Sequence, residues 1–172
     1  MIQLGGCQAA KRRFVMEVHN CTCIRFSSPS KLFECEYQKL TKGRYSISLM
    51  FELERALTRQ AEIELQITYR VKQGRTIVTF TNVKLKVCDV LTHAQGLPVI
   101  KDLMESFNRC SNLPIMCPIL GNKMYNITNV IVNEELFPPY TQFMDFNFTV
   151  NFYDNGKLFS TYKLEGSTVK RS

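Results

Sequence analysis

Between Gln142 and Tyr153 the chain reads QFMDFNFTVNFY. In an extended backbone successive side chains point to opposite faces. Met144, Phe146, Phe148, Val150 and Phe152 therefore share one face, and Asp145, Asn147, Thr149 and Asn151 share the other. Strict alternation of this kind describes a strand with one side buried and one in water. Asp154-Asn155-Gly156 follows at once and reads as a hairpin turn, leading into a last strand from Lys157 to Leu164.

The same period recurs outward from this point. In Lys123 to Val132, Tyr125 and Ile127 face inward and Asn126 outward. Glu62 to Val71 sets Ile63, Leu65, Ile67, Tyr69 and Val71 against Glu62, Glu64, Gln66, Thr68 and Arg70. Tyr45 to Leu53 places Tyr45, Ile47, Leu49, Phe51 and Leu53 on one face. Gln73-Gly74 reads as a turn, and Thr76 to Val87 as a strand. Its phase slips between Phe80 and Val83, as at a bulge or where a strand changes sheets. Phe14 to Phe26 and Leu32 to Leu40 form two more strands, joined around Ser27-Ser28-Pro29-Ser30.

One segment breaks the pattern. In Leu97 to Ser111, Ile100, Leu103, Met104 and Phe107 fall at helical spacing, with Pro98 in the first turn. Asn112-Leu113-Pro114 ends that helix. About eight short strands, one amphipathic helix near 98–111 and regular turns predict an all-β fold: a two-sheet, immunoglobulin-like sandwich with Greek-key links. The immunoglobulin Cys-Trp-Cys signature is absent, because the chain has no Trp.

The 172 residues suit one domain, and at this size a single core buries roughly two-thirds of the unfolded surface. At 45% apolar and 22% charged the composition is that of a folded globular chain. No apolar run is long enough for a transmembrane helix. The net charge of +7 permits an anionic partner without demanding one. Its dense clusters, Lys11-Arg12-Arg13 and Lys170-Arg171, read as solvated termini. Basic residues are not interleaved with exposed aromatics, so nucleic-acid binding is not expected.

Seven Cys and three sequons, at Asn20, Asn126 and Asn147, together point to a secreted, disulfide-bonded glycoprotein. MIQLGGCQAA, residues 1–10, reads as the remnant of a signal peptide, leaving 11–172 as the single domain. Cys21-x-Cys23 and Cys110-x6-Cys117 lack zinc-finger spacing, and no metal or cofactor is expected.

The stretch Val87-Cys88-Asp89, the helix, Ser111-Asn112-Leu113-Pro114-Ile115-Met116-Cys117-Pro118, the strand from Gly121 to Val132 and Phe137-Pro138-Pro139 together resemble a known family. It is the insect family of secreted domains of unknown function that includes the fly chemosensory B (CheB) proteins. Cys23 to Cys35 followed by Tyr37-Gln38-Lys39-Leu40 resembles its N-terminal half. The resemblance spans roughly residues 14 to 165. It implies a sandwich similar to the ML lipid-recognition, or ganglioside activator, fold, in which splayed sheets hold an apolar cavity. It also implies a disulfide from Cys88 to Cys117, and another from Cys35 to Cys23 or Cys21. Cys110 and the leftover N-terminal Cys are candidates for a third. The family often carries Pro-x-Gly-x-Tyr after the paired prolines, where this chain has Tyr140-Thr141-Gln142.

The expected function is a secreted carrier or presenter of a lipid or other apolar molecule, such as a cuticular hydrocarbon or pheromone, with a cell-surface receptor as a further partner. Candidate cavity-lining residues are Phe51, Ile67, Tyr69, Phe80, Ile100, Leu103, Phe107, Phe137, Met144, Phe146 and Phe148. Large apolar residues are usually buried in any case, so each has a plain reading as core. Phe137-Pro138-Pro139-Tyr140 is a candidate rim. The competing expectation is an adhesion or receptor-ligand module with a packed core and no small ligand. An enzyme is not expected. Only His19 and His93 exist, Glu62/Glu64 and Glu134-Glu135 read as solvated pairs, and neither a Gly-rich phosphate loop nor G-x-S-x-G occurs.

Overall fold

The computed structural model describes residues 11–93, 105 and 107–172. Its elements are β1 (Phe14–Arg25), β2 (Ser30–Thr41), β3 (Arg44–Leu53), β4 (Glu62–Val71), β5 (Val78–Lys86), α1 (Val87–His93), β6 (Met124–Asn133), β7 (Met144–Asp154) and β8 (Lys157–Lys170). They form two antiparallel sheets, one ordered β1-β8-β7-β4-β5 and the other β2-β3-β6. The fold is all-β, as the alternation predicts. The predicted bounds of the strand at Glu62 to Val71 are those of β4.

Two elements differ from the sequence reading. β8 runs six residues past Leu164. Its extension reads Glu165-Gly166-Ser167-Thr168 and offers no apolar alternation. It is buried through polar contacts and close approach instead. Thr168, 0% exposed, donates to the Gln142 carbonyl at 2.6 Å and accepts from the Met144 N–H. A Cβ at Gly166 would lie 2.5 Å from Phe146 Cζ and 2.4 Å from the Glu17 carbonyl oxygen. Only glycine lets that ring lie on the strand. The second difference is α1, which begins at Val87, the last residue of the predicted fifth strand, and continues where the sequence reading placed no element. Of the predicted helix near 98–111, residues 98–104 and 106, with Ile100 and Leu103, lie outside the described residues. Phe107 to Arg109 are helical.

Asn155 and Gly156 both have positive φ, 50° and 75°, the geometry of a tight type I′ turn between β7 and β8. Asp154, which precedes it, is buried and holds the β3–β4 connection. Its carboxylate accepts from Thr58 N–H at 3.2 Å, Thr58 Oγ1 at 2.6 Å and Arg55 Nη1 at 2.6 Å.

The interior has two clusters. One gathers Met16, Val18, Tyr45, Val132, Phe146, Tyr162 and Leu164. The other, toward the opposite end of the strands, gathers Leu53, Ala61, Val87, Ile119, Tyr125 and Phe159. Phe152 packs against both. A disulfide joins Cys23 of β1 to Cys35 of β2, so it links the two sheets along one flank. Cys88 in α1 is bonded to Cys117, ahead of β6, and links the other flank.

Candidate functional site

Three strands face five, and the interior shows it. Every residue on the apolar face of β4 is only half-buried, Ile63, Leu65, Ile67 and Tyr69 alike. Six of the candidate lining residues fall in the two clusters, and Ile67 belongs to neither. Tyr69, Phe137, Met144 and Phe148 pack against the cluster containing Phe146. Phe137 lies 5.0 Å from Phe146 and 6.4 Å from Phe14, ring centre to ring centre. Phe51 belongs to the other cluster, stacked on Tyr125 at 5.0 Å. Phe107 is half-buried.

Phe80 does not line the interior. It is 66% exposed, because the β4–β5 register slips there: Ile67 pairs with Thr81 and Thr68 with Thr79, leaving Phe80 as the extra residue of a bulge. The phase slip read in the sequence is this bulge, on the edge strand. Among the described residues no third disulfide is formed, and Cys21 and Cys110 are free. Cys21 Sγ donates to the Tyr162 hydroxyl at 3.6 Å, and burial pushes its thiol up, only partly offset by that bond. Burial, with Cys21 nearby, raises the Tyr162 hydroxyl as well. The Cys110 carbonyl accepts from Thr128 N–H at 2.9 Å.

The three sequons lie on strands β1, β6 and β7. Asn20 and Asn147 share one rung of the outer face, each paired with Glu165 between them. Asn20 Nδ2 donates to Glu165 Oε2 at 3.3 Å. Asn126 lies on β6, where its N–H donates to Asn112 Oδ1 at 2.8 Å.

His19, Ser167 and Asp145 also meet on the outer face, a trio the sequence reading missed. Nucleophilic catalysis needs the imidazole between the hydroxyl and the carboxylate. Here the hydroxyl lies in the middle: Ser167 Oγ donates to Asp145 Oδ1 at 2.6 Å and contacts His19 Nε2 at 2.8 Å. Ser167 is also buried. Its proton is committed to Asp145, so the trio is a structural tie.

Two open depressions lie where the paired ends of β1 and β8 meet. β1 and β8 pair with Phe14 opposite Lys170, which brings Lys11-Arg12-Arg13 beside Lys170-Arg171. Together with Phe143 they border an open depression of about 700 Å³. An adjoining one of about 600 Å³ is bordered by Pro139, Tyr140, Thr141 and Phe143. Arg12 donates to the Phe137 carbonyl and Arg171 pairs with Glu134, so the basic residues pin the β6–β7 connection. Thr141 donates to the Pro138 carbonyl through both N–H and Oγ1, closing a turn that holds Tyr140 out, 86% exposed. This is the loop that takes the place of Pro-x-Gly-x-Tyr.

Residues 63–148, half of the chain, match the family described as Protein of unknown function (DUF1091). The chain belongs to that family. The DUF1091 segment holds all of β4 but its first residue, then β5, α1, β6, both members of the Cys88–Cys117 disulfide and the Phe137–Tyr140 loop. It leaves out β1, β2, β3 and β8, so neither sheet is complete within it. No curated protein matches the chain.

Four carboxylates lie below their ordinary values, Glu64, Asp145, Asp154 and Glu165, and the two aspartates illustrate the acid response. Lys72 and Ser167, with Arg70 beside them, hold Asp145 down at about 2. For Asp154 burial pushes upward, but the Thr58 and Arg55 bonds outweigh it and the carboxyl lies below its ordinary value. On acidification the unfolded chain therefore takes up these protons first, near pH 4. The stabilisation is full above that pH and is lost as pH falls toward 2. Urea midpoints should be flat from neutral pH to about 5 and then drop steeply. A midpoint that rose on acidification would contradict both assignments.

Proposed function

We propose that this protein is a secreted carrier or presenter of a lipid or other apolar small molecule. The ligand is held between the two sheets of an immunoglobulin-like sandwich related to the ML lipid-recognition fold. The observation that carries this reading is the unequal width of the sheets: no residue of β4 is fully buried, although its apolar face reads Ile63, Leu65, Ile67, Tyr69. Ligand sites are mostly apolar with few polar groups, and this face fits that description. The resemblance to the CheB-containing family supports the same ligand class, a cuticular hydrocarbon or pheromone presented to a receptor. Two disulfides and three sequons on strands support passage through an oxidising, glycosylating compartment. The activity is binding, without covalent chemistry.

Native mass spectrometry on the secreted protein, followed by organic extraction, tests this. A bound fatty acid, phospholipid or long-chain hydrocarbon at near one-to-one is the expected result. A clean unliganded mass, with no uptake of a fluorescent apolar probe, overturns it in favour of an adhesion module with a packed core.

A further inference from the structure

The charge of this protein is concentrated at one end of the sandwich. Strand pairing brings segments 11–15, 39–44, 70–78, 133–145 and 168–172 to that end. They carry eleven Lys and Arg against three carboxylates, Glu134, Glu135 and Asp145. The remaining eleven basic residues are set against twelve acidic ones, so this end carries +8 and the rest of the chain −1. Glu134 is paired with Arg171, and Asp145 with Arg70 and Lys72. Lys11, Arg13 and Lys170 are exposed or half-buried and make no ion pair among the described residues.

Apolar side chains stand out of the same end. Tyr140 is at the tip of the Pro138–Thr141 turn, Phe143 borders both depressions and is 41% exposed, and Ile77, just ahead of β5, is 67% exposed. A linear polyanion would use the cations alone. A bilayer surface uses both: cations meet anionic headgroups, and aromatic residues sit where one end is apolar and the other wet. We infer that this end docks onto an anionic lipid surface through Lys11, Arg13, Lys170, Tyr140 and Phe143. The assignment goes beyond the carrier reading and does not depend on a cavity, since a sandwich with a filled core would present the same end.

Sedimentation with vesicles of equimolar phosphatidylserine and phosphatidylcholine tests it, with phosphatidylcholine vesicles as reference. The protein should partition onto the anionic vesicles alone and leave them as salt is raised. The triple variant Lys11→Gln/Arg13→Gln/Lys170→Gln should lower the partition coefficient about 100-fold, at roughly fivefold per cation near an anionic leaflet. Tyr140→Ser/Phe143→Ser should lower it with all cations intact. Circular dichroism and urea midpoints of both variants verify folding, so a loss of binding is read at the surface. Three outcomes overturn the inference: no partition onto anionic vesicles, equal partition onto both kinds, or binding that the aromatic variant leaves unchanged. The last, accompanied by tight binding to heparin, would identify a polyanion site. Bound lipid in the interior is read separately, by mass spectrometry, so failure of either reading leaves the other standing.

Discussion

Phe146→Ala should destabilise the fold by about 3–5 kcal/mol, as for other fully buried phenylalanines. Phe146 is 4% exposed, and its ring lies over Gly166 and against Phe137. Truncation leaves the space over a glycine, which has no side chain with which to refill it. The same substitution separates a packed interior from a lined one. In a packed interior the cost appears in full by urea denaturation, and Phe146→Leu recovers most of it. If the loss is under about 1 kcal/mol, the surroundings collapse easily or the ring faces vacant volume, and Phe146 is not a keystone of the core.

Removing the Cys88–Cys117 bond, by Cys88→Ser with Cys117→Ser, should cost about 3.5 kcal/mol. The chain-entropy relation gives this for a closure of 29 residues. Removal of the Cys23–Cys35 bond, spanning 12, should cost nearer 3 kcal/mol on the same relation. Denaturation midpoints of the two double variants give the order directly. An equal or reversed order would mean that native contacts, rather than loop closure, set the difference. Val87 and Ile119 pack in the cluster beside the longer loop, so loosening there should expose Tyr125 and shift its absorbance before global unfolding.

The elements legible in the sequence are those whose signal is local. β4 needed only its own alternation, and β7 only that of Met144 to Phe152. Asn155-Gly156 announced its turn because few residues other than Asn and Gly adopt positive φ cheaply. What failed to show depended on partners far along the chain. The last residues of β8 are hidden because Thr168 and Ser167 are satisfied by Gln142 and Asp145, and Gly166 by the Phe146 ring. Phe80 looked inward because a one-residue bulge reverses the phase without changing composition. α1 spans only seven residues, about two turns, too short for helical periodicity to stand out from the end of a strand. The basic clusters at 11–13 and 170–171 each read as a loose end. Only the pairing of the first strand with the last makes them neighbours, and strand order is not written in any one strand. The candidate interior was partly legible for the same reason: alternation identifies which side chains share a face, but not how much of the face the opposite sheet covers.

The two disulfides have a mechanical consequence. Cys23 lies two residues from the end of β1 that is remote from the termini, and Cys88 and Cys117 lie beyond that same end of β5 and β6. Covalent restraint is therefore lopsided. Where the cross-links lie, the separation of the two layers is fixed by bond lengths on both flanks. At the opposite extremity no disulfide among the described residues spans the layers, and packing, hydrogen bonds and the Arg171–Glu134 ion pair resist their separation. A sandwich fastened this way has a fulcrum and a pair of jaws, and under load its compliance is greatest where the jaws are.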